Sequence, residues 1–478
     1  MAGVTFVSCR ETLSRFASPG SSLNRPVEMM QMKILSSPLG RVPAVTIRLM
    51  GTAIAVAVLL VACVTAGPSP DARTSASGRT EREGKLAGTD RVVLIALAGK
   101  ATNAPVSADG AWRIDEQDGR MLLVRGAGAE PWRIEQRGTL LRVTGEGNDA
   151  TPWRAGPFVA RSADAESFLS FDGKRYRGEL WFTPTDSGIL VVNRLSVEDY
   201  LRGVVPLELG TRNEIDRAAL EAQSIAARSY SYARVPSGDL VVPARGWHML
   251  ATVSNQVYGG VAVEHPVVDA AIRATAGLVL RYDGLLVDAP YYSSCGGRTA
   301  GPREAWRDAR DEPYLESVSD VNPQTGRPWC EISPRNQWTA SFDEHQLSEV
   351  ARRALIAAGA TPSRGVKVRN ITIGERLPSG RVGSVLVDTD DGKVTLRLGE
   401  IRNVFRDARG AILSSTYFSV DRVARERGHL IGVALRGTGN GHGVGMCQWG
   451  AIGRARAGQD SRMILRHYYP GTVVGFAD

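Results

Sequence analysis

Near its carboxyl end the chain reads Gly441-His442-Gly443-Val444-Gly445-Met446-Cys447-Gln448-Trp449-Gly450-Ala451, and then Ile464-Leu465-Arg466-His467-Tyr468-Tyr469-Pro470-Gly471-Thr472. Three glycines at alternate positions let a backbone approach a ligand where a side chain would collide. A histidine and a glutamine stand among them. Taken alone, this segment fits a glycine-rich turn before a final helix equally well, so its interpretation depends on the rest of the chain.

Two earlier segments complete the pattern. The first reads Leu195-Ser196-Val197-Glu198-Asp199-Tyr200-Leu201-Arg202-Gly203-Val204-Val205-Pro206-Leu207-Glu208, followed by Ala222-Gln223-Ser224-Ile225-Ala226-Ala227-Arg228-Ser229-Tyr230. The second reads Gln256-Val257-Tyr258-Gly259-Gly260, then Ala274-Thr275-Ala276-Gly277-Leu278-Val279-Leu280 and Tyr291-Tyr292-Ser293-Ser294-Cys295-Gly296-Gly297-Arg298-Thr299. In this order the segments resemble the stage II sporulation protein D family, also called SpoIID/LytB, of bacterial cell-wall proteins. The resemblance covers roughly residues 170–475.

The amino-terminal residues carry an export pattern. Residues 49–62 form an uncharged, mostly apolar run after Arg41 and Arg48, shorter than the about 20 residues that a spanning helix needs. Because the run ends in a sequence similar to a bacterial lipobox, residues 60–63, we expect 1–62 to be a signal peptide with a possible upstream extension, and Cys63 to be lipidated. An ordinary signal peptide or an uncleaved anchor stays open. Residues 63–90, rich in Pro, Ser, Gly and Thr, are typical of a flexible tether.

Charge indicates the class of partner. Residues 1–62 hold six basic and two acidic side chains, so residues 63–478 carry only +4 of the formal charge of +8. That is too little to indicate nucleic-acid binding. The resemblance implies peptidoglycan glycan strands as the partner, a cell-wall amidase as a possible second one, and a cell-envelope location, and the lipobox-like residues 60–63 predict a lipid anchor in the membrane.

Residue periodicity predicts an α+β fold rich in strands. Short apolar runs bounded by Asp-Gly and Gly-rich turns predict a β-rich amino-terminal region at 91–170, before a strand-rich mixed α/β SpoIID/LytB-like domain at 171–475. Helical spacing predicts helices at 213–234, with Thr211 and Glu214 as a capping box, and at about 343–359. Alternation predicts strands at 366–373 and 383–388, with a hairpin turn at Asp391-Gly392.

Glu208 is the candidate catalytic residue. It stands between apolar residues 204–207, interpreted as a strand, and the predicted helix, where flanking leucines would raise its pKa toward the range of a general acid. The helix dipole would lower the pKa instead, and spacing alone favours such an ordinary helix-entry carboxylate. The resemblance reverses this preference, because Glu208 falls on the glutamate that family members with lytic transglycosylase activity use as acid and base.

That reaction needs one carboxyl group and no cofactor. Ordinary glycosidases use two carboxyl groups, whereas a lytic transglycosylase lets the C6 hydroxyl of N-acetylmuramic acid attack its own anomeric carbon. Glu208 would protonate the leaving oxygen and then accept the hydroxyl proton. Glu198, Asp199 and Glu214 are near in sequence and could tune Glu208, although solvated or capping roles are favoured.

Around Glu208 we expect a glycan-binding groove, because aromatic rings stack on sugar faces and polar side chains bind sugar hydroxyls. A buried ion pair is an equally good interpretation for Arg228, and Trp449 is favoured as a core residue. The expected substrate-binding residues are Gln223, Arg228, Tyr230, Tyr258, Tyr291, Tyr292, Ser293, Ser294, His442 and Gln448.

Three cysteines follow Cys63 in the sequence: Cys295, Cys330 and Cys447. Exported proteins keep disulfides, and we expect Cys295 to pair with Cys330, with Cys447 left open as a partner. Sporulation members resemble a pattern in which a His and two Cys ahead of Gln-Val-Tyr bind zinc. Residues 247–256 contain His248 and no cysteine, so we expect no metal and a surface or groove position for His248.

Three functions compete. The resemblance favours a membrane-anchored lytic transglycosylase that cleaves peptidoglycan. A non-catalytic glycan-binding module that enhances a cell-wall amidase is the alternative, and the missing zinc ligands favour it. A serine or cysteine hydrolase at residues 293–295 is weaker, because the neighbouring Gly296-Gly297 lacks a nucleophile-elbow pattern.

Overall fold

The computed structural model describes residues 91–477 apart from 165 and 238–239. The predicted signal peptide, Cys63 and the tether at 63–90 lie outside the described residues. Within the described part of the chain, no helix is long and apolar enough to cross a membrane.

Strands dominate the first hundred described residues. In chain order they are β1 (Val92–Ala101), β2 (Asn103–Ala108), β3 (Ala111–Glu116), β4 (Leu122–Ala127), β5 (Trp132–Arg137), β6 (Leu140–Thr144), β7 (Arg154–Ala155), β8 (Phe158–Ser162), β9 (Leu169–Phe171), β10 (Lys174–Tyr176), β11 (Glu179–Thr185) and β12 (Gly188–Ser196). Their side chains alternate between inside and outside, as half-buried strands require. In β6, for example, Leu141 and Val143 are fully buried while Leu140 is exposed.

Helices enter after β12. The next elements are α1 (Val197–Arg202), α2 (Val205–Leu209), α3 (Arg217–Tyr232), β13 (Met249–Leu250), α4 (Pro266–Ala274), β14 (Leu278–Tyr282), β15 (Leu285–Leu286), β16 (Tyr291–Tyr292) and α5 (Pro302–Ala305). Single 3-10 turns occur at Glu146–Asn148, Glu214–Asp216, Gly260–Val263, Pro313–Leu315 and Trp329–Ile332.

The remaining elements are β17 (Gln337–Asp343), α6 (Glu344–Ala357), β18 (Val368–Ile373), β19 (Ser384–Thr389), β20 (Gly392–Arg397), α7 (Gly399–Val404), β21 (Phe418–Glu426), β22 (His429–Thr438), β23 (Met446–Cys447), α8 (Gln448–Arg456), α9 (Ser461–Tyr468) and β24 (Val473–Phe476). Strands and helices are thus interleaved in one chain. The predicted α+β, strand-rich fold class is confirmed.

Two sheets share the main core. One has the order β13-β1-β12-β11-β8-β3-β4 and the other β10-β9-β2-β5-β6-β7, and inward side chains of both belong to one hydrophobic cluster with α3. Strand β1 pairs antiparallel with β12 from Val92↔Ser196 onward. Hydrogen bonding therefore runs across the boundary that we predicted at 170/171, and the β-rich region continues into the following domain.

Helix α3 is the central helix of this core. It packs against α4, α8, α9 and β14, and its inward residues include Ala219, Ala222, Ala226 and Ala227, all fully buried. Small side chains let neighbouring backbones approach closely. This packing brings the end of α2 and the start of α8 to the same place, where the candidate site lies.

A second hydrophobic core occupies the stretch between Cys330 and Cys447. Its buried members come from α6, α7 and the sheets β17-β22-β21 and β18-β19-β20, from Phe342 to Leu435. The expected helix at 343–359 is confirmed as α6, capped by Asp343, whose side chain accepts from the Gln346 N–H. The hairpin at 391–392 is also present, joining β19 to β20.

One local prediction in this region was wrong. The capping box of Thr211 and Glu214 does not form: α3 begins at Arg217, and the Glu214 carboxylate lies 2.9 Å from the Arg217 guanidinium. A turn separates β10 from β11, and within it Gly178 adopts φ +73°. A side chain at Gly178 would meet the Arg194 carbonyl oxygen at 2.3 Å, so the turn depends on glycine.

Candidate active site

Glu208 lies in a short helix rather than beside a strand. The N–H groups of Leu207 and Glu208 donate to the Val204 carbonyl oxygen at 2.9 and 3.1 Å, which closes a helical turn. Pro206 suits the first turn of a helix, where no donor is needed. The strand that we predicted at 204–207 is therefore wrong, and α2 presents a half-buried Glu208 at its end.

Two donors contact the Glu208 carboxyl group. The Val257 N–H donates to Oε1 at 3.3 Å, and the Gln448 side-chain amide donates to Oε2 at 3.3 Å. The same Gln448 nitrogen lies 3.4 Å from Gln223 Oε1. Gln223 comes from α3 and Gln448 opens α8, so two residues that we expected near Glu208 do lie beside it.

Burial raises the pKa of Glu208 above its ordinary value of 4.5, and the bonds from Val257 and Gln448 oppose this in part. Desolvation favours the neutral form of a carboxyl group. The direction of the shift is the one that a general acid needs, because a larger fraction of the group carries a proton near neutral pH.

The nearby carboxylates are engaged elsewhere. Glu198 pairs with Arg228, Glu214 pairs with Arg217, and the Asp199 carboxylate accepts from the Ser196 hydroxyl at the start of α1. These three groups therefore act as ion-pair partners or capping groups.

An open cleft of about 630 Å³ lies beside this site. Five of its lining residues carry aromatic or imidazole rings: Tyr230, Tyr291, Trp306, Tyr314 and His442. Trp306 is 41% exposed and its ring centroid lies 5.0 Å from that of His442. Tyr230, Tyr291 and His442 were expected at the groove, whereas no sequence pattern indicated Trp306 or Tyr314.

Tyr291 connects the cleft to Glu208. Its hydroxyl accepts a hydrogen bond from Gln256 Nε2 at 2.8 Å, and the next residue, Val257, binds Glu208. Burial, and next the negative charge of Glu208, raise the pKa of Tyr291. Gln256 opens the Gln-Val-Tyr segment, but no local pattern indicated that it would bind a tyrosine of the cleft.

His442 is held as a neutral ring. Its Nδ1 accepts the Val444 N–H at 3.1 Å, and this leaves Nε2 to donate to the Tyr291 carbonyl oxygen at 3.0 Å. Burial lowers the pKa of His442 to about 4. This geometry suits a positioning or stacking role better than proton transfer.

Several expected substrate contacts lie in the core instead. Arg228 is fully buried and donates two hydrogen bonds of 2.6 and 2.8 Å to Glu198. Of its two interpretations, the structure therefore favours the buried ion pair. Tyr258 is buried and donates to Asn193 Oδ1 at 2.8 Å. Tyr292 and Ser294 are 4% and 1% exposed. Buried side chains of this kind cannot touch a glycan in the cleft, so these four expectations are corrected. Gln223 and Gln448 are equally buried, and they belong to the site through the hydrogen bonds that Gln448 makes to Glu208 and Gln223.

Ser293 keeps partial exposure, and its carbonyl oxygen accepts the Trp449 N–H at 3.0 Å. Trp449 is half-buried and packs against the main core, with the Arg212 guanidinium 4.7 Å from its ring centroid. The serine thus helps to fix the start of α8, and its hydroxyl stays a candidate for substrate contact.

The alternate glycines of the carboxyl-terminal motif serve the protein's own packing. A side chain at Gly441 would meet Tyr292 at 2.7 Å, one at Gly443 would meet Arg381 at 2.8 Å, and one at Gly445 would meet the Pro290 carbonyl at 2.0 Å. The close approach that we ascribed to a ligand is therefore an approach of neighbouring protein segments. It lets β23 pair in parallel with β16, with Tyr292 opposite Cys447.

Residues 247–256 do not fit the zinc site of the sporulation members. His248 is 2% exposed, not at the surface or in a groove as expected. Its Nδ1 accepts the Leu94 N–H at 3.0 Å and its Nε2 lies 3.0 Å from the Val241 carbonyl oxygen. Both nitrogens are thus engaged, and no cysteine stands in this stretch.

The expected Cys295–Cys330 disulfide is not formed in the structure. The two sulfur atoms are free thiols 3.5 Å apart, and Cys447 is a third buried thiol beside them.

Comparison with known proteins agrees with this architecture. Residues 185–282 match the SpoIID family, described as Stage II sporulation protein, and residues 330–445 match a domain of unknown function (DUF8618) that coincides with the second core. An uncharacterized protein of Brachyspira hyodysenteriae is 28% identical over 65% of this chain and 75% of its own length.

Two relatives from Bacillus subtilis have functional names. The Amidase enhancer is 29% identical over 64% of this chain and 45% of its own length. Stage II sporulation protein D is 29% identical over 60% of this chain and 76% of its own length. The SpoIID match spans α1 to β14 and includes Glu208, Gln223 and Gln256. The resemblance drawn from the sequence is therefore confirmed for residues 185–282, which match the SpoIID family, and relatives named Stage II sporulation protein D align with 60% of this chain.

Proposed function

We propose that this protein is a peptidoglycan lytic transglycosylase of the cell envelope, with Glu208 as its acid and base. The observation that carries the proposal is the environment of this carboxyl group. It is desolvated, so that its pKa is raised, and it is held by the Val257 N–H and the Gln448 amide beside an aromatic cleft. A cell-wall role also agrees with the family and with the relative named Amidase enhancer.

The reaction needs two proton transfers, both through one carboxyl group. Protonated Glu208 donates to the glycosidic oxygen as its bond to C1 of N-acetylmuramic acid breaks. The resulting carboxylate then takes the proton from the C6 hydroxyl while the C6 oxygen bonds to C1, which gives a 1,6-anhydro sugar. The first proton stays on the departing sugar's hydroxyl, the C6 hydroxyl proton restores the acid form of Glu208, and no water is consumed. One carboxyl group is sufficient, in agreement with the engagement of Glu198, Asp199 and Glu214 elsewhere.

The cleft supplies the binding surface. Trp306 and Tyr291 can stack on sugar faces. Gln256 donates to the Tyr291 hydroxyl at 2.8 Å, and Asn255 donates to the Tyr230 hydroxyl at 3.2 Å. Water is a poor competitor once the C6 hydroxyl is held at the anomeric carbon, because an oriented intramolecular group reacts at a high effective concentration.

The second candidate is a glycan-binding module that enhances an amidase. It is favoured by the relative named Amidase enhancer and by the absence of zinc ligands at 247–256. The same cleft would then bind glycan without cleaving it.

Digestion of purified peptidoglycan separates the two. The lytic transglycosylase should release fragments that end in 1,6-anhydro-N-acetylmuramic acid, identified by mass spectrometry, from intact strands or from strands stripped of peptide. Reducing muramic ends would indicate hydrolysis by a second carboxyl group. Binding without release from either substrate would replace the enzyme with the module.

A further inference from the structure

A second cluster of reactive side chains lies apart from Glu208. Cys295, Asp320, Cys330 and Cys447 are each 0% exposed, and one ligand atom of each lies within 4.8 Å of the others. Points no more than 4.8 Å apart fit inside a sphere of about 2.9 Å radius, about 0.6 Å beyond a Zn–S bond of about 2.3 Å. A small inward shift of the four side chains would place them at bonding distance from one ion.

The four residues come from separate parts of the chain. Cys295 follows β16, Asp320 lies in a loop, Cys330 lies in the 3-10 turn Trp329–Ile332, and Cys447 ends β23. The pairing of β16 with β23 brings the first and last of these together. Thiols are readily buried, but a fully buried carboxylate requires compensating interactions, because its desolvation is costly.

Backbone N–H groups point at the sulfur atoms. The Cys295 and Gly450 N–H groups each donate to Cys447 Sγ at 3.2 Å, and the Gly297 N–H donates to Cys295 Sγ at 3.3 Å. Cys447 also caps the N-terminus of α8, where the helix dipole favours negative charge. Neutral thiols and disulfide sulfurs are weak acceptors, whereas thiolates are strong ones. These donors are therefore arranged for charged sulfur ligands.

Asp320 is oriented as a fourth ligand. Arg454 donates two hydrogen bonds to Asp320 Oδ1, at 3.0 and 3.1 Å. Asp320 Oδ2 lies 3.1 Å from Cys295 Sγ. The Tyr468 hydroxyl lies 2.9 Å from both oxygens. Carboxylates that bind metals are commonly fixed by such outer partners. A side chain at Gly450 would come within 2.2 Å of Oδ2, so this glycine keeps space open beside the carboxylate.

We propose that Cys295, Cys330, Cys447 and Asp320 bind one Zn²⁺ ion as a structural site. Three thiolates and a carboxylate in a closed, buried arrangement match the ligand types and the coordination number of structural zinc. The ion and the Arg454 guanidinium, which binds Asp320, offset three of their four negative charges. A Cys295–Cys330 disulfide would instead leave Cys447 as a buried thiol and Asp320 with no cation on the sulfur side.

The site differs from that of the sporulation members, since it uses no residue of 247–256. It revises the sequence-based expectation of no metal, which weighed that stretch alone. Cys447 directly precedes Gln448, the residue that donates to Glu208. The metal would thus fix the start of α8 and the position of Gln448 without touching substrate, and its presence does not depend on whether the protein cleaves glycan.

The test is the metal content of the full-length protein, purified without reductant or chelator. Elemental analysis should find one zinc per chain. Cys295→Ser and Cys447→Ser should lose it, and Asp320→Asn should bind it more weakly. Asp216→Asn is the matched control: Asp216 is also buried and pairs with an arginine of α8, Arg456, but lies outside the cluster, so this variant should keep its zinc.

A second measurement guards against misfolded variants. Unmutated protein depleted of zinc and refilled with Co²⁺ should show thiolate-to-cobalt charge-transfer absorption, and chelation should lower its melting temperature. The proposal is overturned by metal-free protein whose mass shows a Cys295–Cys330 disulfide, by zinc that persists in the cysteine variants, or by a cobalt spectrum without thiolate bands.

Discussion

Replacing Glu208 with Gln removes the transferable proton while the surrounding contacts can be kept. The new amide would keep its oxygen toward the Val257 N–H and turn its NH₂ toward Gln448. In the unmutated protein, Gln448 presents its own NH₂ to Glu208, so two donors would then face each other. Gln448 can flip to present its oxygen, and Gln223 can flip in turn to donate to it. Among the described residues the Gln223 Nε2 is without a partner, so the double flip costs no hydrogen bond.

Because the hydrogen bonds can be preserved, the change in rate measures the proton itself. General acid–base assistance is worth about 10²- to 10⁴-fold, or about 3 to 5.5 kcal/mol of barrier. Here one group serves both steps, so we expect Glu208→Gln to lose about 10⁴-fold in turnover. Glycan binding should change little, since the carboxyl group lies beside the cleft rather than among its lining residues.

The assay is the release of anhydro-ended fragments from purified peptidoglycan, with binding measured by sedimentation with the insoluble wall. Asp199→Asn is the control, because it removes a nearby carboxylate that accepts from Ser196, and its rate should stay within a few-fold of the unmutated protein. A Glu208→Gln variant that retains more than about a tenth of the activity would refute the acid–base role.

Three further predictions follow from the same geometry. Burial raises the pKa of Glu208, so its contribution to stability is fully present below pH 4.5 and is lost as pH rises through the folded pKa. In urea unfolding, Glu208→Gln should therefore match the stability of the unmutated protein at pH 4 and exceed it at pH 7. A difference in stability that is the same at both pH values would contradict this. Trp306→Ala should weaken glycan binding about threefold to tenfold with little change in turnover or in melting temperature, because the ring is 41% exposed in the cleft; unchanged binding would remove Trp306 from the site. Arg228→Met should cost about 3 kcal/mol in unfolding free energy, since it leaves Glu198 without its guanidinium, and Glu198→Gln in the same chain should recover part of that; lost turnover at unchanged stability would instead restore Arg228 as a substrate contact.

Local signals predicted the elements whose packing agrees with their periodicity. Residues 343–359 gave α6 because their apolar spacing and the cap at Asp343 specify the same helix. The predicted helix start at 213 was wrong, because Glu214 forms an ion pair with Arg217 instead of capping the helix. The pairing of β1 with β12 and the second core between 342 and 435 depend on contacts far apart in sequence, which no local pattern encodes.

The candidate site was predictable where chemistry and the family motif coincided. Glu208, Gln223 and Gln448 were named from the sequence, and they meet in one row of hydrogen bonds. The errors came from treating every aromatic or polar residue of a motif as exposed. Tyr258 is in the core because its hydroxyl can donate to Asn193, a partner 65 positions away in sequence. Burial of a polar side chain depends on such a partner, and its identity appears only in three dimensions.

The cysteine cluster also explains where the second core joins the first. Cys330 precedes β17, the first strand of the second core, and Cys447 follows β22 and the glycines at 441–445. Both ends of the stretch between Cys330 and Cys447 therefore meet at the cluster. Arg381, from inside that region, is fully buried and donates to the Cys295 carbonyl oxygen at 3.1 Å. A cross-link that closes a long loop stabilises a protein mainly by restricting its unfolded chain. The proposed zinc would close this loop through Cys330 and Cys447, and because Gln448 follows directly, the same constraint would hold the amide that contacts Glu208.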